Sequence, residues 1–262
     1  MSQVPKPVRI PDLLEMKKRG EKITVLTAYD ATMARLLDCA GVDAILVGDS
    51  LGMVIMGQDT TLEVTLDMMV HHTRAVRNGT KHALVVADMP FLTFQTGLDD
   101  AVRNAGRLIQ EGGAAAVKLE GGRAVAGVIA RLVEIGIPVM GHLGLTPQSV
   151  HQLGGFKKIA GAAAEKLLEE ARIVEQSGAF AVVLESIPSE IAGEITQALT
   201  IPTIGIGAGP RCDGQVLVSY DALGLFDEFT PSFVKRYAEL GKEVVRSARE
   251  YIEDVRSGRF PS

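Results

Sequence analysis

The chain predicts an α/β fold, a closed (β/α)8 barrel of parallel strands with a helix after most of them. Three observations carry this expectation. Short Val-, Leu- and Ile-rich runs alternate with helical stretches along most of the chain. Four of those runs close on an acid: AILVGD (44–49), ALVVAD (83–88), AVKLE (116–120) and AVVLE (181–185). The length, 262 residues, suits one such barrel. A carboxylate at the end of a core strand needs something to neutralise or use it. In a parallel barrel all the strand ends converge on one face, so four acids would share one site.

The elements follow in order. A short helix over 10–20 ends at Gly20. ITVLTAY (23–29) is strand one, and a helix over 31–40 stops at Gly41. AILVGD is strand two; Thr65 then caps a helix over 66–78 that ends at Gly79. ALVVAD is strand three, with a helix over 99–111 closed by Gly112 and Gly113. AVKLE is strand four, followed by a helix over 123–135. PVMGHLG (138–144) is strand five, with a helix over 161–177. AVVLE is strand six, and Pro188 opens a helix to about residue 199. IPTIGIG (201–207) and QVLVSYD (215–221) are strands seven and eight. The amphipathic stretch 231–256 gives one or two terminal helices around Gly241. Residues 50–64 and 145–160 are long irregular segments, a frequent home of function. No linker or low-complexity tract divides the chain, so a single domain over 1–262 is expected.

Composition narrows the function. At 47% hydrophobic residues the chain can bury a large core. A net charge of −5 with no Lys/Arg block argues against nucleic acid as a partner. No apolar run reaches membrane-spanning length, and the first twenty residues lack the apolar segment of a secretory signal. Cys39 and Cys212 show no metal or disulfide spacing and read as two reduced thiols of a cytoplasmic protein.

Asp49 and Asp88 end neighbouring strands, where each either caps the following turn or holds a cation against its neighbour. Oxygen-only ligation suits Mg²⁺. Lys118 and Glu120 alternate with Val117 and Leu119, so both side chains share one face of strand four. They form either a structural ion pair or part of a site, and Lys118 is also a candidate Schiff-base lysine. Glu185 is a candidate base for a carbon acid or, alternatively, an acid favoured at a helix start. His142, in GHLGLTPQS, is structural or catalytic. GIGAGPRCDG (205–214) departs from the dinucleotide fingerprint, which leaves a tight turn or a phosphate loop after strand seven.

Together, LTAYD (26–30), VGDSLGMVIMG (47–57), TLDMMVHHTRAV (65–76), VVADMPF (85–91), VKLEGG (117–122), GHLGLTPQSV (141–150), VLESIP (183–188) and IGIGAGPRCDGQVLV (204–218) span nearly the whole chain. In this set the chain resembles the ketopantoate (3-methyl-2-oxobutanoate) hydroxymethyltransferase family. The resemblance implies a barrel like those of phosphoenolpyruvate mutase and isocitrate lyase. It implies hydroxymethyl transfer from 5,10-methylenetetrahydrofolate to 3-methyl-2-oxobutanoate through a Mg²⁺-stabilised enolate, giving 2-dehydropantoate for pantothenate synthesis. By the same resemblance Asp49, Asp88 and Glu120 hold Mg²⁺ or another divalent ion. Asp49, Ser50, Asp88 and Lys118 bind the keto acid, Glu185 is the base, and His142 stands behind them. A cytoplasmic homodecamer, a pentamer of dimers, is implied as well. The alternatives are another Mg²⁺-dependent keto-acid lyase or mutase on the same barrel, and a catalytically silent binding module.

Overall fold

A computed structural model describes residues 6–155, 166–227 and 231–261. Eight parallel strands close in sequential order into a barrel: β1 Ile23–Thr27, β2 Ala44–Val47, β3 Leu84–Asp88, β4 Ala116–Glu120, β5 Val139–Gly144, β6 Ala181–Glu185, β7 Thr203–Ile206 and β8 Gly214–Leu217. Around them run α1 Ile10–Arg19, α2 Ala31–Ala40, α3 Leu51–Val54, α4 Leu66–Gly79, α5 Leu98–Gln110, α6 Ala126–Glu134, α7 Val150–Leu153, α8 Leu167–Gln176 and α9 Ser189–Ala198. The chain forms two compact units, residues 1–216 and 217–262. The second holds α10 Ser219–Ala222 and α11 Leu240–Arg256.

Local chemistry sets most boundaries where they were expected. Asp30 caps α2 by accepting from the Thr32 and Met33 amides, and Gly41 ends it at φ 87°. The Thr65 hydroxyl accepts from the Met68 amide at the start of α4. Gly79 is required by packing: a Cβ there would lie 2.2 Å from the Ala31 carbonyl oxygen, where α4 meets α2.

Strand alternation builds the interior and, one step further on, the site. Ala116, Val86, Met140 and Val183 belong to one buried cluster with Leu46, Val25 and Ile204, and α1 adds Leu13 to it. Two residues further along the same strands lie Lys118, Asp88, His142 and Glu185, which therefore point to the same interior face at the C-terminal ends.

Several expectations shift. The run 215–221 is not one strand: β8 stops at Leu217 and Ser219–Ala222 is helical, because four alternating residues cannot be told from one helical turn. Gly41 and Gly20 stop their helices, but Gly241 lies inside α11 rather than dividing it, and the chain before Leu240 forms turns. The irregular segments contain α3, a 3-10 turn at Pro147–Ser149 and α7. The expected helix over 161–177 is seen as Leu167–Gln176; its first part lies outside the described residues. Residues 207–213 link β7 to β8 with no helix. The return covers only about 13 Å, a four-residue strand, and that link reaches about 23 Å when extended. The glycine-rich loop is thus a tight return, and among the described residues no helix start follows it to receive a phosphate.

Candidate active site

Pairing register brings the acids together. Asp88 on β3 lies opposite Lys118 on β4, Glu120 opposite His142 on β5, and Gly144 opposite Glu185 on β6. Asp49 follows β2 by one residue beyond Gly48, and its backbone amide donates to Asp88 Oδ2 at 3.1 Å. Lys118 Nζ is 3.1 Å from Asp88 Oδ1 and 3.2 Å from His142 Nδ1. His142 approaches Glu120 Oε1 at 3.4 Å through Nδ1 and Glu185 Oε2 at 3.1 Å through Nε2.

Two backbone features aim Glu185. Gly144 has φ 97°, and a Cβ on it would stand 2.2 Å from the Glu185 carbonyl oxygen, so β5 and β6 meet closely there. Ser186 has φ 51°, a left-handed conformation costing about 1 kcal/mol in a non-glycine residue. It is held by a hydrogen bond from its amide to the Ile206 carbonyl at 2.8 Å. Glu185 is also the most accessible acid of the group: its side chain is 16% exposed, against 4% for Asp88 and 5% for Glu120.

Burial and crowding set the electrostatics. Burial pushes the Asp49 carboxyl up, the nearby Asp88 and Glu120 carboxylates push it further, and it reaches about 8 despite Lys118 and Gln148. Burial likewise raises Asp88, with Lys118 and the Asp49 amide opposing. Burial acts to lower Lys118, but Asp88, Glu120 and Asp49 outweigh it and the ammonium is held more tightly than usual. For His142, burial and Lys118 act downward, and contacts with Glu120 and Glu185 more than offset them, to about 9. The site is an anion-rich cluster with two basic side chains, Lys118 and His142, set among its acids.

Four of the sequence-predicted acids, Asp49, Asp88, Glu120 and Glu185, thus meet with Lys118 and His142 at one end of the barrel. Ser50, at the start of α3, has its Oγ 2.9 Å from the Tyr29 hydroxyl.

The ketopantoate hydroxymethyltransferase family matches residues 7–262. The chain belongs to that family. It is 58% identical over 249 residues to 3-methyl-2-oxobutanoate hydroxymethyltransferase of Syntrophus aciditrophicus, covering 94% of this chain and 91% of that one. With the enzyme of the same name from Pelobacter propionicus it shares 55% identity, over 100% and 98% of the two chains. Among solved structures the barrel is similar to phosphonopyruvate hydrolase in complex with oxalate and Mg²⁺ (TM-score 0.64, 13% identity, 96% and 88% covered). It is also similar to 2,3-dimethylmalate lyase, a member of the phosphoenolpyruvate mutase/isocitrate lyase superfamily (TM-score 0.62, 20% identity, 98% and 90% covered). At these identities the solved structures speak for the fold. Within the family match, the site adds two residues that sequence patterning did not single out, Tyr29 beside Ser50 and Gln148 beside Asp49. Tyr29 reads as the last residue of a strand. Gln148 sits in the quoted stretch GHLGLTPQSV, but an isolated glutamine carries no periodic or spacing signal.

Proposed function

We propose that the protein transfers a hydroxymethyl group from 5,10-methylenetetrahydrofolate to 3-methyl-2-oxobutanoate, giving 2-dehydropantoate, the first step of pantothenate biosynthesis. The observation that carries this reading is the meeting of Asp49, Asp88, Lys118 and Glu120 at the closed barrel's C-terminal end, in a chain of this family.

A divalent cation fits these residues. Fully ionised, Asp49, Asp88, Glu120 and Glu185 carry four negative charges against two on Lys118 and His142, which leaves two for a dication to balance. Asp88 Oδ1 is buried with Lys118 Nζ 3.1 Å away, which leaves a further lone pair of that oxygen to give. Among the described residues no three His, Cys, Asp or Glu side chains are grouped as a metal cage. A sparse set suits Mg²⁺, which keeps several waters and takes one or two carboxylates. Asp49 and Asp88 are assigned as direct ligands and Glu120 as the third group, acting directly or through water; other divalent ions suit the same oxygens. When bound, the cation polarises the 2-oxo group and so acidifies the neighbouring C3–H.

The chain's own residues do the rest. Lys118 and Ser50 hold the carboxylate end of the keto acid. Glu185, the most accessible acid, takes the C3 proton, and His142 fixes its Oε2. C3 then bonds to the methylene carbon of the folate-derived iminium, whose C=N electron pair passes to nitrogen. Water replaces that nitrogen, so the C–N bond breaks, tetrahydrofolate leaves and the hydroxymethyl group stays on C3. C3 becomes quaternary, so the two substrates must be held in line. A Schiff base on Lys118 is disfavoured, because its ammonium is paired with Asp88 and its proton is held tightly. Folate dependence separates the proposed transfer from a lyase or mutase on the same barrel.

The reading extends to a cytoplasmic homo-oligomer, a decamer of five dimers, with small molecules as its other partners. Exposed Val244, Tyr251 and Val255 on α11 support self-association, and Cys39 and Cys212 are unpaired. No helix among the described residues is long and apolar enough to cross a membrane. Sedimentation at micromolar concentration tests the assembly; a monomer would remove it.

The activity is tested by incubating the protein with 3-methyl-2-oxobutanoate and Mg²⁺ in D₂O and following the C3 proton by NMR. Exchange that EDTA abolishes, followed by product formation once methylenetetrahydrofolate is added, is the expected result. No exchange with or without the folate would overturn the substrate assignment. Exchange that survives EDTA would move the chemistry to Lys118.

A further inference from the structure

We infer that Gln148 is a positioning residue that holds Asp49 and Glu120 in the arrangement that receives the cation. The inference rests on the metal reading above and deepens it.

Gln148 lies in the 3-10 turn after β5, yet it reaches the ends of three other strands. Its Nε2 donates to Asp49 Oδ2 at 2.8 Å and to the Met89 carbonyl at 3.0 Å. Its backbone amide donates to Glu120 Oε2 at 3.0 Å. One residue therefore fixes an oxygen of each of two acids that come from β2 and β4. Asp49 is left with Oδ1 to offer, and Glu120 is held at Oε2 by Gln148 with Oε1 turned to His142.

The amide orientation is decided by its neighbours. Reversing it would set Oε1 against two acceptors, the Asp49 carboxylate and the Met89 carbonyl. Held as it is, Oε1 is buried with no hydrogen-bond partner. The residue is only 6% exposed. A side chain present only for packing would not keep a buried acceptor unsatisfied; an apolar residue of the same shape would do better. Gln148 gives up that bond to keep both Nε2 donors on Asp49 and Met89. Outer partners that orient ligating groups typically change metal affinity by 10- to 100-fold when removed.

The test is a titration of the full chain with Mn²⁺, free Mn²⁺ being read by electron paramagnetic resonance with no substrate present. Gln148→Met keeps the volume and removes both Nε2 donors. The expected result is Mn²⁺ binding to the parent, and to Gln148→Met about tenfold weaker binding with an altered bound-Mn²⁺ spectrum; the unfolding midpoint also falls, because the Asp49 carboxylate and the Met89 carbonyl lose their donor, so the spectrum is the deciding readout. A purely structural role would move the midpoint and not the spectrum. Should Gln148→Met unfold non-cooperatively, Gln148→Asn carries the same expectation: it keeps a buried amide that is one methylene short of Asp49. Equal affinity and an identical spectrum in the folded variant would overturn the positioning role alone. Failure of the parent to bind Mn²⁺ would overturn the metal reading and this inference with it.

Discussion

Glu185 and Asp88 differ in what surrounds them, and variants should separate their roles. Glu185 touches His142 and is partly open, so Glu185→Gln is expected to keep keto-acid binding, read by calorimetry, while C3 exchange falls by at least about 100-fold, the usual worth of a general base. Exchange at the parental rate would remove Glu185 as the base. Asp88 is buried against Lys118 and the Asp49 amide. Asp88→Ala is expected to weaken Mn²⁺ and keto-acid binding together; loss of one without the other would separate two sites that are here read as one. The strand-end acids were legible because a carboxylate closing an apolar run is an anomaly at the level of sequence. Gln148 was not, because its partner Asp49 lies 99 positions away and only the fold joins them. The same holds for the contact of Tyr29 with Ser50.

At the scale of elements, α2 and α4 show how helices are tied to the barrel. Asp38, near the end of α2, accepts from the backbone amides of Lys81, His82 and Ala83, the residues that lead into β3. Burial acts to raise its pKa, but the three amides outweigh burial and hold it below the usual carboxylate range. A lowered folded pKa gives stability that is present above the unfolded value of about 4 and lost as pH falls through the folded one. Asp38→Asn should cost about 2 kcal/mol in urea unfolding at pH 7, with the difference from the parent shrinking toward pH 3. A constant difference across that range would assign the loss to packing rather than charge. Element order and most boundaries were readable because caps and glycines are local signals. The split of residues 215–221 into β8 and α10 was not, since so short a run fits either period.

At the scale of the molecule, barrel closure is what turns scattered strand ends into one acidic site, and it should give the whole protein a metal- and pH-dependent stability. The convergence was legible because a parallel closed barrel allows no other placement of strand C-termini. The balance of charge was not, because it depends on distances across strands. Asp49 is raised to about 8 by burial and by Asp88 and Glu120. A carboxyl whose folded pKa lies above its unfolded pKa binds its proton more strongly when folded. Its stabilising effect is complete below pH 4 and is lost as pH rises through the folded value. Metal-free protein should therefore lose stability from this group between about pH 4 and pH 8. A bound dication favours the ionised carboxylate and opposes that loss, and at a hundred times its dissociation constant it adds about 2.7 kcal/mol. Thermal unfolding in EDTA and in excess Mg²⁺, at pH 6 and pH 8, reads both effects. The expected result is a midpoint raised by Mg²⁺, with the larger rise at pH 8, where Asp49 has largely given up the proton that the cation must displace at pH 6. An Mg²⁺ effect of equal size at both pH values would separate cation binding from Asp49, and no effect at either would leave the acidic cluster without its cation.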